Sequence, residues 1–408
     1  RCGVTVLDQV QIELLYRHGH YVAFVLGACF GSFLNVCIWR IPNNMSIITP
    51  GSHCPKCSHA LAWYENIPIL AWLVLGARCR WCKSRISVRY PLVEALVAIL
   101  FVAVWQRAAD FGWPLPSLFV GWFLVCILVA VSFVDSDHQI IPNKFTYTGL
   151  VIAVTAALIW PQTHGLDRIT AESAQTVARF WDGIYGTRQI VVLDLVLGVI
   201  LSGGVFWLFA NVSHVILGRD RQQLDPPETI VLTPDDLQIS AAEPTPWQDV
   251  LYTDADRVKI IGKVVAADLK DTEPDPCLDP GEDEVKIVAD DMSITSRGVT
   301  VPMTAVERIV VEARQIVLPR LAIGLGDVKL FAVLGAFFGP AGAVIVLVLS
   351  CSIGFVAGLG FGIVRLLQGR GWDGSICFGP FISVAALIYL LRSEEILSFV
   401  MWRWLLLG

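Results

Sequence analysis

The sequence predicts an all-α polytopic membrane protein of about eight transmembrane helices, carrying a small four-cysteine loop and a β-rich soluble insertion. Three observations predict this. Hydrophobic residues make up 55% of the chain and charged residues 16%, against about 45–50% and about 25% in soluble domains. Mostly apolar runs approaching the roughly 20 residues that cross a bilayer recur along the chain. The charge is also divided. Between Asp225 and Gln315, 20 acids face 8 bases, a local charge of −12, which leaves +6 for the rest of a chain whose net charge is −6.

The expected spans are Tyr21–Trp39, Tyr90–Trp105, Leu115–Val134, Phe145–Trp160, Ile190–Leu217, Asp327–Phe338, Ala341–Leu366 and Cys377–Leu391. Glu395–Leu407 is apolar but short, and reads as a cap at the interface. No cleavable leader is expected, because no short apolar run with a small-residue cleavage site follows Arg1. The spans divide the chain into an N-terminal segment 1–39, a cysteine loop 40–89, spans two to five over 90–217, an acidic insertion 218–320 and C-terminal spans over 321–408.

Lys and Arg between spans set orientation. The 40–89 loop holds Arg40, Lys56, Arg78, Arg80, Lys83, Arg85 and Arg89 against one acid, Glu65, so it is expected in the cytoplasm. Alternation then puts Asp135, at the end of the third span, and Asp327, at the start of the sixth, at the same cytoplasmic face. The insertion falls on that side too. Its 219–256 stretch, rich in Asp, Pro and Gln, reads as a linker. Val258–Ala266, Val285–Ala289 and Ile294–Val301 read as strands, and Thr304–Val317 as a helix returning to the membrane. Its acidity argues against a nucleic-acid surface.

Cys54–Pro–Lys–Cys57 and Cys79–Arg–Trp–Cys82 are two C-x₂-C pairs separated by 21 residues. Zinc takes four thiolates at tetrahedral corners, and each C-x₂-C turn supplies two. A reducing cytoplasm favours metal over disulfide. The expectation is a structural, zinc-ribbon-like site of Cys54, Cys57, Cys79 and Cys82, with a redox dithiol as the rival. Cys29, Cys37, Cys126, Cys351 and Cys377 lie in or beside apolar spans and read as packing residues; Cys2 and Cys277 are assigned no chemistry.

Ionisable groups at membrane depth are costly, and their default reading is functional. Asp135 closes one apolar span, and Gly324–Leu325–Gly326–Asp327 opens another, with Lys329 two residues on. Two carboxylates sharing one proton can hydrolyse a peptide: the ionised one activates water and the protonated one holds the carbonyl oxygen. Gly324 and Gly326 let a substrate strand approach. Asp327 can equally be a plain helix N-cap, and paired carboxylates also serve proton-coupled transporters, for which Asp194 is a further candidate. No H-E-x-x-H, G-x-S-x-G or Walker A pattern is present.

An ordered set of motifs settles the preference. Gly31–Ser32–Phe33–Leu34–Asn35–Val36 and Arg40–Ile41–Pro42 come first. Asn66–Ile67–Pro68, Trp72–Leu73, the second cysteine pair and Arg89–Tyr90–Pro91–Leu92–Val93–Glu94 follow. Then come Phe133–Val134–Asp135 with Gln139–Ile140–Ile141–Pro142–Asn143, Gly324–Leu325–Gly326–Asp327–Val328–Lys329–Leu330, and Phe378–Gly379–Pro380–Phe381. In this order the chain resembles the bacterial type IV prepilin leader peptidase/N-methyltransferase family, intramembrane aspartyl peptidases of the GxGD type. The resemblance implies a multi-pass protein of the bacterial inner membrane. It implies cleavage of a prepilin or secretion-pseudopilin leader after glycine at the cytoplasmic face, with Asp135 and Asp327 as the dyad. It also implies methylation of the new N-terminus from S-adenosylmethionine. Asp135 is preferred to Asp137 because it holds the motif position, and on a helix the two would point about 200° apart. The chain departs from the family in Arg320–Leu321–Ala322–Ile323, where Glu-Ala-Met is common, in Cys377, where proline is frequent, and in the insertion itself.

Overall fold

The computed structural model describes residues 6–164, 187–217, 219–240, 244–251, 257–269, 285–289, 293–296, 299–319, 324–367 and 377–407. Cys2 and Cys277, most of the expected 161–189 loop and Arg320–Ile323 lie outside them. The chain divides into two compact units. One comprises Arg1–Trp207 with Ile323–Gly408, and the other Leu208–Ala322.

The first unit is helical. Its elements are α1 (Val6–Arg40), α2 (Leu70–Val74), α3 (Arg89–Phe111), α4 (Leu115–His138), α5 (Asn143–Ile159) and α6 (Thr187–Leu217, which runs into the boundary with the second unit). After the insertion come α8 (Leu325–Leu367) and α9 (Gly379–Leu407), α7 being the short Trp247–Val250 helix of the second unit. Among the described residues, five stretches are long and apolar enough to cross a membrane: His18–Arg40, Arg89–Phe111, Leu115–His138, Val191–Ala210 and Leu325–Leu367. Helix α5 is apolar but shorter. Two expected spans are joined in α8, which is broken at Gly339 (φ 71°, ψ 178°) ahead of Pro340. A left-handed φ suits glycine, and proline cannot donate into the preceding turn. The expected interfacial segment is the end of α9, beyond a non-helical Arg392.

Helix α4 is the hub. Leu124, Val125, Leu128, Ala130, Val131 and Val134 are fully or almost fully buried, whereas α1 and α6 expose many large apolar side chains, including Tyr21, Val25, Leu193 and Trp207. That is the pattern of a central helix ringed by helices that face lipid. Helices α1 and α3 pack closely through small residues. A Cβ added at Gly31 would lie 2.6 Å from Glu94 Cα, and one at Gly27 would lie 2.7 Å from Ala98 Cα. Gly27 and Gly31 form a G-x₃-G step, whose missing side chains let two backbones touch.

The second unit is an eight-stranded sheet in the order β3-β2-β1-β8-β4-β5-β6-β7. Its strands are β1 (Arg219–Leu232), β2 (Asp236–Ile239), β3 (Thr245–Pro246), β4 (Val258–Leu269), β5 (Val285–Ala289), β6 (Ser293–Ser296), β7 (Val299–Pro302) and β8 (Val306–Pro319). Every pairing is antiparallel. Ile230, Leu232, Ile260, Ile287, Ile294, Ile309, Val311 and Ile316 are completely buried and form its core around Trp247.

Three expectations are corrected here. The stretch Ile294–Val301, read as one strand, falls in two, β6 and β7, which pair antiparallel with Ile294 opposite Val301. The stretch read as a linker is β1 and β2, because Ile230 and Leu232 alternate onto the core and β8 supplies β1 with a partner (Ile230 opposite Val311). Its Asp–Pro–Pro step is absorbed where the β1–β8 register shifts, between Gln223 and Glu228, as expected where proline offers no ladder donor. The stretch read as a helix is β8. Its buried Ile309, Val311 and Ala313 follow period two, and its β-branched residues fit a strand.

Candidate active site and cysteine cluster

Asp135 sits in the last turn of α4 and is 6% exposed. The turn ends at Gln139, whose left-handed φ of 55° closes the helix with an N–H to the Asp135 carbonyl. The chain then runs through Ile140–Ile141–Pro142 into α5. Asp135 Oδ2 accepts the backbone N–H of Gly379, the first residue of α9, at 3.0 Å.

Asp327 lies in the first turn of α8 and is half-buried. Its N–H bonds the Gly324 carbonyl at 3.0 Å. The fold brings the charges of Asp135 and Asp327 within interaction range, although they are far apart in sequence. Gly326 abuts the α4–α5 connection: a Cβ there would come 2.9 Å from Ile141 Cβ. Lys329 Nζ donates to Asn143 Oδ1 at 2.8 Å, tying α8 to the start of α5. Asp137 does not share this position. It forms an ion pair with Arg89 at the start of α3, whose guanidinium also lies 5.1 Å over the Phe133 ring. His138 closes α4.

Asp194, the further candidate for a transport path, is engaged elsewhere. His164 Nε2 meets Asp194 Oδ2 at 2.8 Å, and His164 Nδ1 meets the Ala336 carbonyl at 3.1 Å. Ala336 is nine residues beyond Asp327, about 13 Å along α8. A Cβ at Gly339 would fall 2.5 Å from Asp194 Oδ2. The sequence alone does not join these residues, since they come from three separate segments.

The four cysteines come together with Sγ atoms all within 4.8 Å of one another. The two knuckles repeat one geometry. Cys54 N–H bonds His59 O and Cys79 N–H bonds Ser84 O; Ser58 N–H bonds Cys54 O and Lys83 N–H bonds Cys79 O. The residue after each second cysteine, Ser58 (φ 56°) or Lys83 (φ 58°), is left-handed. The bridges His53–Ala60 and Arg78–Arg85 close the two turns. With Zn–S bonds of about 2.3 Å, a tetrahedron has S···S edges of about 3.8 Å. Cys54 and Cys82 stand 3.8 Å apart, so the donor set fits zinc. Hydrogen bonds divide the set: chiefly the Cys57 N–H brings the Cys54 thiol down to about 6, and chiefly the Ser84 hydroxyl, 3.1 Å away, lowers that of Cys82, whereas at Cys57 the His59 N–H is outweighed by burial and the neighbouring thiols, which push it up to about 11.

The cysteine loop is fastened to α3 by Ile69 N–H to Glu94 Oε2 at 2.7 Å, and Asn35 Nδ2 to Tyr90 O at 3.1 Å ties α1 to the start of α3. Arg40 folds back onto Ser46 O and Gly51 O. Between α1 and this loop lies a cavity of about 330 Å³, bordered by Ser32, Phe33, Arg40, Ile48, Ser52 and Asn66.

Two family models match parts of the chain, and neither range includes Asp135. Residues 25–108 match the bacterial Peptidase A24 N-terminal domain, and residues 293–359 match the type IV leader peptidase family. A prepilin leader peptidase/N-methyltransferase of Xanthomonas campestris is 31% identical over 255 residues, covering 50% of this chain and 84% of the relative. One of Pseudomonas aeruginosa is 30% identical over 233 residues, covering 48% and 69%. One of Myxococcus xanthus is 52% identical over 134 residues, covering 33% of this chain and 39% of the relative. The chain thus spans well under two thirds of the Myxococcus relative, while it spans most of the Xanthomonas one. No solved structure matches.

Proposed function

We propose that this chain, which belongs to the prepilin leader peptidase/N-methyltransferase family, is a membrane aspartyl endopeptidase that removes the leader of a type IV prepilin or secretion pseudopilin. The observation that carries the reading is that the Asp327 turn packs on the connection that follows Asp135, Gly326 lying against Ile141, so that the two carboxylates end apolar helices in one place and their charges interact. Two carboxylates that share a site in this way hold one proton between them. The ionised one takes a proton from water as the water oxygen attacks the scissile carbonyl carbon. The protonated one hydrogen-bonds the carbonyl oxygen and transfers its proton as the tetrahedral diol forms. Collapse of the diol breaks the C–N bond, and a dyad proton passes to the leaving nitrogen. Gly324, where a Cβ would meet nothing nearer than Asp327 Oδ2 at 3.7 Å, leaves room for an extended substrate segment, Gly326 lets the Asp327 turn pack on Ile141, and the Lys329–Asn143 bond steadies that turn against α5.

The finer topology belongs to the same reading. Eight spans follow if the two halves of α8 count separately, together with α5 and α9. The basic cysteine loop, drawn to an anionic leaflet, puts the dyad at the cytoplasmic face of the bacterial inner membrane. Cys54, Cys57, Cys79 and Cys82 would hold a structural zinc ion, which cross-links the two knuckles. Transfer of a methyl group to the new N-terminus would draw on S-adenosylmethionine. The cavity bordered by Ser32, Phe33, Arg40 and Asn66 has the size and mixed polarity of a small-molecule site.

The test uses purified protein in detergent with a prepilin that carries its leader, a Gly–Phe junction and its apolar helix. Loss of the leader mass is expected, abolished by Asp135→Ala or Asp327→Ala while both variants still elute as folded protein. Unimpaired cleavage by either variant would remove the dyad. A further 14 Da on the product, about one methyl group, in the presence of S-adenosylmethionine would establish the second activity.

A further inference from the structure

The Phe378–Gly379–Pro380–Phe381 motif has no role in the chemistry above, yet it meets Asp135 directly. The first turn of any helix has N–H groups without helical partners. In α9 they are accounted for one by one. Phe381 and Ile382 donate to the Phe378 carbonyl at 3.0 and 3.1 Å. Pro380 has no N–H. Gly379 donates to Asp135 Oδ2 at 3.0 Å, in a buried setting. The side chain that Gly379 lacks would occupy the carboxylate's place: a Cβ would lie 2.6 Å from Asp135 Oδ2 and 3.0 Å from its Cγ. Contacts under about 3.0 Å are ones that real Cβ atoms essentially never show, so alanine at this position and Asp135 in its present rotamer exclude each other.

We infer that Gly379 is the positioning residue of the dyad, its N–H pinning Asp135 Oδ2 so that Oδ1 faces Asp327, the attacking water and the substrate. This rests on the dyad reading. An N–H held against Oδ2 favours the unprotonated form of that oxygen and so biases the dyad's shared proton toward the remaining carboxyl oxygens. Pro380, which has no N–H, adds no competing donor beside Gly379. Gly379 acts through Asp135, and its contribution is orientation.

The experiment compares the full-length parent with Gly379→Ala, Asp135→Ala and the Asp135→Ala/Gly379→Ala double variant, in detergent, on the same prepilin. Gly379→Ala is expected to lower kcat by about 100-fold or more, the scale of an ångström-level misplacement of a reacting group, with KM within about twofold of the parent. A kcat within about threefold of the parent, or a KM that rises in step with the loss, would overturn the assignment. Thermal unfolding supplies a readout independent of activity. Gly379→Ala should melt below the parent, whereas the double variant should melt close to Asp135→Ala, because Oδ2 and Cγ are gone and only the 3.2 Å contact with Asp135 Cβ remains. A double variant as destabilised relative to Asp135→Ala as Gly379→Ala is relative to the parent overturns the proposal, and this holds if both Gly379→Ala variants fail to accumulate in membranes. If Asp135→Ala still cleaves, the dyad itself fails. If Asp135→Ala is inactive while Gly379→Ala is fully active, only the positioning role fails.

Discussion

Replacing His164 with leucine tests how the break in α8 is held. Pro340 deprives the Ala336 carbonyl of its i+4 donor, and because Ala336 is buried in the protein an unmet carbonyl there is costly. His164 supplies that donor through Nδ1 at 3.1 Å and meets Asp194 through Nε2 at 2.8 Å, with only 5% of its side chain exposed. A bond to a neutral carbonyl contributes about 1 kcal/mol and one to a charged group about 1.5–3 kcal/mol. Polar contacts measured between membrane helices average about 0.6 and reach about 1.7 kcal/mol. Asp194 is partly exposed, which discounts its share. His164→Leu should therefore cost about 2–3 kcal/mol, and His164→Gln, which keeps one donor, about half of that. Unfolding by titration of mixed micelles with SDS, followed by tryptophan fluorescence, measures both. A His164→Leu loss below about 0.5 kcal/mol, or a Gln variant worse than the Leu variant, would refute the reasoning.

Two further outcomes follow from the same geometry. Zinc should co-purify at about one ion per chain by elemental analysis. Cys79→Ser should remove it and make the 40–89 loop susceptible to protease, since a structural zinc site holds its fold by ligation. Gly31→Ala should force α1 and α3 apart, because the new Cβ would lie 2.6 Å from Glu94 Cα. Lost thermal stability of about 1–3 kcal/mol and faster hydrogen exchange at Ile69, whose N–H bonds Glu94, are the expected readouts.

Much of the site was legible because its signals are local. C-x₂-C spacing determines a knuckle from neighbouring residues alone, and the four thiols duly meet. A charged residue ending an apolar run is conspicuous wherever it stands, so Asp135 and Asp327 stood out one at a time. The insertion was legible only in part. Val258–Ala266 and Val285–Ala289 show their apolar texture outright. The stretch 219–232 has a polar, proline-bearing first half, and becomes a strand only because β8 lies alongside it.

By itself, the sequence determined the apolar, span-bearing character of the chain, the four-cysteine cluster and the two candidate carboxylates. Each depends on composition or on residues a few positions apart. The tertiary structure alone decided which N–H meets Asp135, that Asp137 is tied to Arg89, and that His164 and Asp194 close the break in α8. It also decided that Val306–Pro319 is a strand. The physical reason is the same in each case. A backbone N–H or a charged side chain has many possible partners along a chain, and only the packing of distant segments selects one.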